Sequence, residues 1–328
     1  MPSLTHPPVR AVFDAVRLGN LPAPLDTVHF RVSYPAAAPD PDADPTLGLV
    51  RPDPHRVPLP VVVIHPNFNC AQELYLWLAH GLALAGFAAV TFDFVAPLIG
   101  GRPGLSTGID LDAISPGKLG ARDPHLFLDL LLARLAINPE LQGALDLDTV
   151  LLGGHSAGGT LALLSADPAR HPQVRGAFSY GGHLRAQVPQ GFGKDAYLPL
   201  PGGVPLLLMG GTEDGVVNAI AQKQTGEVLP GHPMEHTFRR SVPSGTEAML
   251  ALVEGANHYA FADGYDGSSG RGYLEAPGSL DPDLVRQALQ GLIVGFCQAL
   301  TRSGDRRRGL EEMVARGLSV PSRLELRT

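Results

Sequence analysis

A single serine in the segment GGHSAGGT is the residue most able to do chemistry in this sequence. Ser156 follows an apolar, β-branched segment and precedes a helix-like one, so it falls where a strand ends and a helix begins. The pattern G-x-S-x-G in this context is typical of a nucleophile on a sharp strand-to-helix turn. Larger residues than Gly154 and Gly158 would collide across such a turn. We therefore expect the glycines to permit the turn and the turn to expose the serine hydroxyl.

An acid and a histidine later in the sequence could activate this serine. A serine hydroxyl is a weak nucleophile until a base takes its proton, and the base needs a third group to orient it. With a G-x-S-x-G turn the chain order is serine, acid, histidine. Asp214 follows the apolar segment VPLLLMGG, and His258 follows AMLALVEG. Both fall at the carboxyl ends of predicted strands, where open α/β sheets place their sites. The sequence predicts Asp214 as the orienting acid and His258 as the base.

Other titratable residues compete for these roles. Glu213 neighbours Asp214 and stays open as the acid. Asp93 ends an earlier strand and is expected to be a structural carboxylate, whereas His183 could line the cleft but precedes the acid. His155 lies inside the turn and should point away from the serine, where it would help to hold the turn.

A serine hydrolase also needs preorganised N–H donors for the oxyanion of its tetrahedral intermediate. One donor is expected to be the backbone N–H of Ala157, the residue after the nucleophile. The other should come from the loop PNFNC, which follows the strand VVVIH. We predict the N–H of Phe68, with that of Asn67 as the alternative.

The elements that must position these residues alternate along the chain. Continuous β-branched runs indicate strands buried on both faces, and apolar residues at helical spacing indicate the helices between them. The predicted strands are 27–34, 61–65, 87–94, 147–154, 174–182, 204–211 and 248–255. The predicted helices are 71–86, 123–136, 156–166 and 281–300, the last with Asp281 as its N-cap. This order predicts an α/β fold whose mostly parallel central sheet is covered by helices on both faces.

The sequence divides into a catalytic domain and two flanking segments. Residues 1–24 are predicted to be an N-terminal extension, 25–303 the catalytic domain, and 304–328 a C-terminal helix and tail. Within the domain, residues 95–122 and 181–203 are rich in Gly and Pro and lack long periodicity. Both are too short for a large cap domain, so we expect loop walls around a fairly open cleft.

Four segments together carry a family resemblance: PNFN, GHSAGG, GGTEDGVV and GANHYAF. Over roughly residues 25–300 the chain resembles the α/β-hydrolases, within them the dienelactone-hydrolase-like serine esterases such as platelet-activating-factor acetylhydrolase, chlorophyllase and polyester hydrolases. The resemblance implies an α/β-hydrolase fold and an acyl-enzyme mechanism. Phe68 matches the position where polyester hydrolases and cutinases carry an aromatic oxyanion residue. Ala157 departs from the methionine of polyester hydrolases and the arginine of chlorophyllases.

Charge and composition exclude several partners. The 25 basic and 32 acidic residues give a formal charge of −7, which disfavours nucleic acid as a partner. No uninterrupted apolar run reaches the length of a membrane span, so no stable membrane insertion is expected, and the first residues lack the apolar core of a signal peptide. Cys70 and Cys297 are expected to be free, buried thiols, which fits a cytoplasmic location. The oligomeric state stays open.

No metal or cofactor is predicted. The sequence has no H-E-x-x-H and no C-x-x-C motif, and no G-x-G-x-x-G follows its first buried strand. The segment 262–281 carries Asp263, Asp266 and Glu275, but their spacing does not match an EF-hand loop. We interpret it as a solvated glycine-rich loop.

The leading hypothesis is a serine hydrolase that cleaves carboxylic esters with small to medium acyl groups through an acyl-enzyme. A thioesterase or a small-peptide hydrolase could use the same residues. A non-catalytic ligand-binding member of the fold is the alternative from another class, although such a protein would not need an intact set of serine, acid and histidine.

Overall fold

The architecture comes from a computed structural model, which describes residues 9–19, 21–37, 50–98, 101–109, 114–117, 125–225, 231–265, 267 and 272–327. Its strands are β1 (Val9–Arg17), β2 (Thr27–Pro35), β3 (Leu59–His65), β4 (Ala88–Pro97), β5 (Pro103–Ser106), β6 (Leu145–His155), β7 (Val174–Tyr180), β8 (Leu206–Gly211), β9 (Ala248–Val253) and β10 (Ser322–Arg327). Its α-helices are α1 (Leu76–Leu84), α2 (Leu126–Ala136), α3 (Ala157–Ser165), α4 (Gly215–Thr225), α5 (Pro233–Arg240), α6 (Pro282–Thr301) and α7 (Arg306–Arg316).

Within these residues the strands form one sheet in the order β1-β2-β4-β3-β6-β7-β8-β9-β10, with β5 paired to β4. The central strands, from β4 through β3, β6, β7 and β8 to β9, are parallel to one another. The predicted α/β fold with a mostly parallel sheet is therefore confirmed. A parallel arrangement brings the carboxyl ends of all these strands to one edge of the sheet, and the residues that follow them meet there.

The core lies on both faces of this sheet. Successive side chains of a strand point to opposite faces, and in β3 Val61 and Val63 pack into one apolar cluster while Val62 and Ile64 pack into the other. The first cluster includes residues of α2 and α5, and the second includes residues of α1, α6 and α7. Burial on both faces is the reason that these strands are continuous apolar runs.

Both cysteines belong to the second cluster. Cys70 and Cys297 are free and fully buried. Burial raises the pKa of the Cys70 thiol to about 12 and raises that of Cys297 as well. These thiols therefore stay protonated and act as small apolar groups, as the sequence predicted.

Both flanking segments contribute strands to the sheet. β1 lies in the segment interpreted as an N-terminal extension and pairs antiparallel with β2 at one edge. At the other edge, residues 322–327 form β10, which pairs antiparallel with β9. The tail was predicted without a strand, but its alternation places Leu324 and Leu326 against the second core cluster. The helix expected before it is present as α7.

The helix predicted over 71–86 begins later than expected. Its first turn, Gln72–Tyr75, is a 3-10 helix, and α1 starts at Leu76. The Asp93 carboxylate accepts hydrogen bonds from the Gln72 backbone N–H and from its side-chain amide, each at 2.9 Å. Asp93 thus ties this turn to β4, which is the structural role predicted for it. Among the described helices, none is long and apolar enough to cross a membrane.

Candidate active site

Ser156 is the single residue between β6 and α3, and its backbone has a conformation that residues other than glycine rarely adopt. β6 ends at His155 and α3 begins at Ala157, and Ser156 has φ 54° and ψ −120°. Its backbone N–H donates to the Tyr180 carbonyl at the end of β7, at 2.8 Å. Strained backbone of this kind persists where the surrounding structure holds it, and it is common at functional sites. The turn predicted from the sequence is therefore present.

The two glycines of the motif are required by close backbone contacts. A Cβ atom on Gly154 would lie 2.4 Å from the carbonyl carbon of Gly158. One on Gly158 would lie 2.3 Å from the carbonyl oxygen of His65. The opposing atoms belong to the backbone, so the rotation of a side chain could not relieve these contacts. The small residues allow β3, β6 and α3 to approach closely at the serine.

Asp214 and His258 are brought together at the same edge of the sheet. Asp214 follows β8, His258 follows β9, and the distance from His258 Nδ1 to Asp214 Oδ2 is 2.7 Å. Both side chains are fully buried. A carboxylate accepts but does not donate, so Nδ1 donates in this bond, and the lone pair of a neutral imidazole is then on Nε2. Within the described residues, Nε2 is buried without a hydrogen-bond partner.

A cavity of about 300 Å³ lies beside these groups. Ser156, Ala157 and Phe68 line it, and Gly181 forms part of its wall. A Cβ on Gly181 would lie 3.0 Å from His258 Nδ1 and 3.2 Å from Asp214 Oδ2. The buried histidine and aspartate therefore lie directly behind the wall of the cavity that the serine faces.

The predicted oxyanion donors differ in their surroundings. Ala157 is the first residue of α3, and the first N–H groups of a helix have no partner inside it. The N–H of Phe68 donates to Oδ1 of Asn67 at 2.7 Å, and the N–H of Asn67 donates to the hydroxyl of Tyr75 at 3.0 Å. Asn67 must release the Phe68 N–H before that group can bind an oxyanion, whereas the Asn67 N–H is held by a buried tyrosine.

His155 is buried behind the serine and links the end of β6 to the segments that carry Tyr75 and His258. Its Nε2 lies 3.1 Å from the carbonyl of His258, and its Nδ1 lies 3.0 Å from the Tyr75 hydroxyl. A carbonyl only accepts, so Nε2 carries the proton and Nδ1 accepts from Tyr75. Burial, followed by the nearby charge of His258, lowers the pKa of His155 well below the ordinary value. His155 is thus neutral, and its ring hydrogen-bonds Tyr75 and His258 instead of the serine, as expected.

Glu275, which the sequence offered only as a rejected metal ligand, has contacts at the site that were not predicted. Its Oε2 accepts from the N–H of Tyr259 at 2.8 Å, and its Oε1 accepts from the N–H groups of Gly215 at 3.1 Å and Ala276 at 3.0 Å. Tyr259 follows His258, and Gly215 follows Asp214. One carboxylate therefore joins the loop that carries Asp214 to the loop that carries His258. Burial raises its pKa, although the nearby His258 acts in the opposite direction.

The other titratable candidates face elsewhere. Glu213 accepts from the N–H of Ser279 at 2.7 Å and from its hydroxyl at 2.9 Å. Asp263 forms an ion pair with Arg286, with 3.1 Å between the charged atoms. His183 lines the cavity. Asp266 lies outside the described residues, and within the described part of the chain no three His, Cys, Asp or Glu side chains form a group that could hold a metal ion.

Comparison with known proteins supports an α/β-hydrolase fold for this architecture. A ferulic acid esterase from Streptomyces cinnamoneus superposes with a TM-score of 0.60 at 18% sequence identity, over 94% of this chain and 97% of the esterase. No protein-family model matches the sequence, and no curated protein matches it significantly. At this identity the similarity establishes the fold, which is that of the α/β-hydrolases as the sequence predicted.

Proposed function

We propose that this protein is a serine hydrolase that cleaves carboxylic esters through an acyl-enzyme. The observation that carries the proposal is the buried Asp214–His258 hydrogen bond behind the wall of a cavity whose lining includes the strained Ser156. Nucleophile, base and orienting acid in chain order at the strand ends are the parts that acyl transfer requires. The structural relative, a ferulic acid esterase, agrees with ester chemistry.

In the proposed reaction His258 Nε2 takes the proton of the Ser156 hydroxyl as the oxygen attacks the ester carbonyl. Asp214 keeps the proton on Nδ1 and stabilises the imidazolium that forms. The protonated histidine then delivers its proton to the leaving alcohol. Water, deprotonated by the same histidine, hydrolyses the acyl-enzyme and regenerates the serine.

The oxyanion of the tetrahedral intermediate would bind to two backbone N–H groups. We assign these to Ala157, at the amino end of α3, and to Phe68, on the loop after β3. The helix dipole adds to the attraction at the first of them. For the second, the side chain of Asn67 turns away from the Phe68 N–H when the substrate enters.

The size of the cavity supports small to medium acyl groups. About 300 Å³ lies at the lower end of the range for small-molecule sites. Segment 181–203 supplies much of the wall, which includes Ala186, Gln190 and Leu198. We expect kcat/KM for p-nitrophenyl esters to be highest with short acyl chains and to decline toward long ones. A steady rise to long chains would contradict this size limit.

We further propose a cytoplasmic location. Cys70 and Cys297 are unpaired and buried in one core cluster. Free thiols of this kind are typical of a reducing compartment. Fractionation of cells that express the tagged protein tests this proposal, and recovery from an oxidising compartment would contradict it.

A fluorophosphonate probe, which labels activated serines covalently, tests the function. The wild-type protein should be labelled and should hydrolyse p-nitrophenyl butyrate, whereas Ser156→Ala should lose both properties. Ser165→Ala is the matched control, because Ser165 ends the same helix and is buried away from the cavity. Absence of labelling in a folded wild-type protein would favour the non-catalytic alternative, and labelling of Ser156→Ala would assign the nucleophile elsewhere.

A further inference from the structure

A buried arginine lies in the wall of the same cavity. Arg185 follows β7 in the segment 181–203 and is 4% exposed, and it lines the cavity together with Ser156. Its backbone is held in a short antiparallel ladder. The backbones of Arg185 and Tyr197 face each other in an antiparallel β-bridge. Two backbone hydrogen bonds flank it: the N–H of Ala186 donates to the Ala196 carbonyl at 3.0 Å, and the N–H of Leu198 donates to the Leu184 carbonyl at 2.8 Å. The position of this side chain therefore does not depend on an isolated flexible loop.

Most of the guanidinium has no partner. Nη2 donates to the Lys194 carbonyl at 2.6 Å and lies 3.4 Å from an Asp195 carboxylate whose side chain is 80% exposed. A guanidinium has five N–H donors, of which Nε carries one and Nη1 two. Both of these nitrogens are buried, and neither has a hydrogen-bond partner in the described part of the chain. Burying a charged group with unmade hydrogen bonds is costly.

The charge is compensated by an ion pair with Asp195 at 3.4 Å, but that carboxylate is 80% exposed and its attraction is screened by solvent. The ring of Tyr197 lies beside the guanidinium, with 5.8 Å from the ring centroid to Arg185 Cζ. Burial raises the pKa of that phenol, so it stays uncharged near neutral pH. Among the described residues that line the cavity, Arg185 is the one Lys or Arg, and none is Asp or Glu. The described lining of the cavity thus carries one basic side chain and no acidic one, in a chain with a formal charge of −7.

We propose that the substrates are esters that carry a carboxylate, and that Arg185 binds this group while Ser156 attacks the ester carbonyl. The inference rests on the proposed function and names the substrate class for it. A carboxylate accepts from more than one N–H, so it satisfies the unpaired donors and balances the buried charge together. The carboxylate can belong to the acyl part or to the alcohol part of the ester.

Two matched pairs of substrates separate these sources. For the acyl part, mono-4-nitrophenyl adipate is compared with methyl 4-nitrophenyl adipate. For the alcohol part, 4-carboxyphenyl butyrate is compared with 4-carbamoylphenyl butyrate. Each rate is normalised to the nonenzymatic rate of the same ester. In one of the pairs we expect kcat/KM to favour the carboxylate by at least about tenfold, as for a hydrogen bond to a charged group.

Substitutions of Arg185 test whether this residue causes the preference for the carboxylate. Arg185→Met should reduce the ratio within the favoured pair to about one. Arg185→Gln, which keeps an uncharged hydrogen-bond donor at this position, should do the same and serves if the methionine variant does not fold. Arg240→Met is the matched control: Arg240 lies 4.6 Å from the same tyrosine ring, but it is exposed and outside the cavity lining. It should keep the wild-type ratio.

The outcomes separate this inference from the proposed function. If wild-type protein hydrolyses the neutral esters and shows no preference in either pair, the proposed function stands and the carboxylate site is wrong. The same holds if the preference survives in the Arg185 variants or falls equally in Arg240→Met, since a general charge effect would then explain it. If no ester is hydrolysed and the fluorophosphonate does not label Ser156, the proposed function fails, and this inference fails with it.

Discussion

Replacing Glu275 with glutamine should slow catalysis while leaving the protein folded. The carboxylate accepts three backbone N–H bonds, of 2.8, 3.1 and 3.0 Å. Glutamine has nearly the same shape, but its amide nitrogen cannot accept. If its carbonyl keeps the bonds to Gly215 and Ala276, the N–H of Tyr259 is left facing an NH₂ group. The anchor of the loop that carries His258 is then lost.

The magnitude follows from one lost hydrogen bond to a charged group. Such bonds contribute about 1.5–3 kcal/mol to stability. Since about 1.4 kcal/mol in the barrier is a factor of ten in rate, kcat/KM should fall about ten- to a hundredfold if the bond is needed to position the base. The loss should appear mainly in kcat, because Glu275 does not line the cavity. The acid limb of the kcat/KM–pH profile should move to lower pH, because a negative charge near the imidazolium is removed.

The assay is hydrolysis of p-nitrophenyl butyrate between pH 5 and 9, with thermal unfolding measured alongside. Glu213→Gln is the matched control, since Glu213 bonds Ser279 and not the histidine loop. It should change kcat/KM by less than a factor of about three. Equal effects of the two substitutions, or an unchanged acid limb in Glu275→Gln, would refute the positioning role.

Three further predictions concern the acid, the turn and the core. Asp214→Asn should reduce kcat by about 10³–10⁴-fold, as in serine proteases whose histidine is left in the wrong tautomer, and a larger loss in Glu213→Gln would show that the acid is misassigned. Gly154→Ala should lower the free energy of unfolding by at least about 1–3 kcal/mol through overpacking, because the new Cβ would lie 2.4 Å from a backbone atom. The control is Gly291→Ala on α6, where no atom lies within 4 Å of the new Cβ. Urea unfolding should show no loss of stability in this control. Burial lowers the pKa of His65 to about 3, and unfolded histidine protonates below about pH 6.5, so stability should fall as the pH drops from about 6.5 toward 3. His65→Leu should make this decline shallower by about 1.4 kcal/mol per pH unit, and an unchanged slope in urea titrations at pH 7, 6 and 5 would contradict it.

Local pattern was sufficient to predict the central sheet and the turn at the serine. The β-branched runs are buried on both faces, so their hydrophobicity is continuous and easily recognised. Gly154 and Gly158 are required by backbone contacts within one strand–turn–helix unit. The positions of Asp214 and His258 follow from a general property of parallel sheets, which bring the ends of neighbouring strands together.

The edges of the sheet were harder to predict, because an edge strand has weaker apolar patterning. In β1 the side chain of Phe13 is 70% exposed, and β10 buries only two leucines against the core. Pairing with β2 and β9 makes these segments strands, and such pairing depends on residues far away in the chain.

The roles of the Glu275 carboxylate and the Arg185 guanidinium became visible only in the tertiary structure. The sequence places Glu275 in a glycine-rich loop and Arg185 in a proline-rich one, and neither segment has a periodicity that says where its side chains point. Folding places the Glu275 carboxylate on the backbone of two loops that carry Asp214 and His258, and it buries most of the Arg185 donors at the cavity without partners. Spacing along a chain determines which elements form, whereas the burial and pairing of a polar atom depend on what the other elements bring to it.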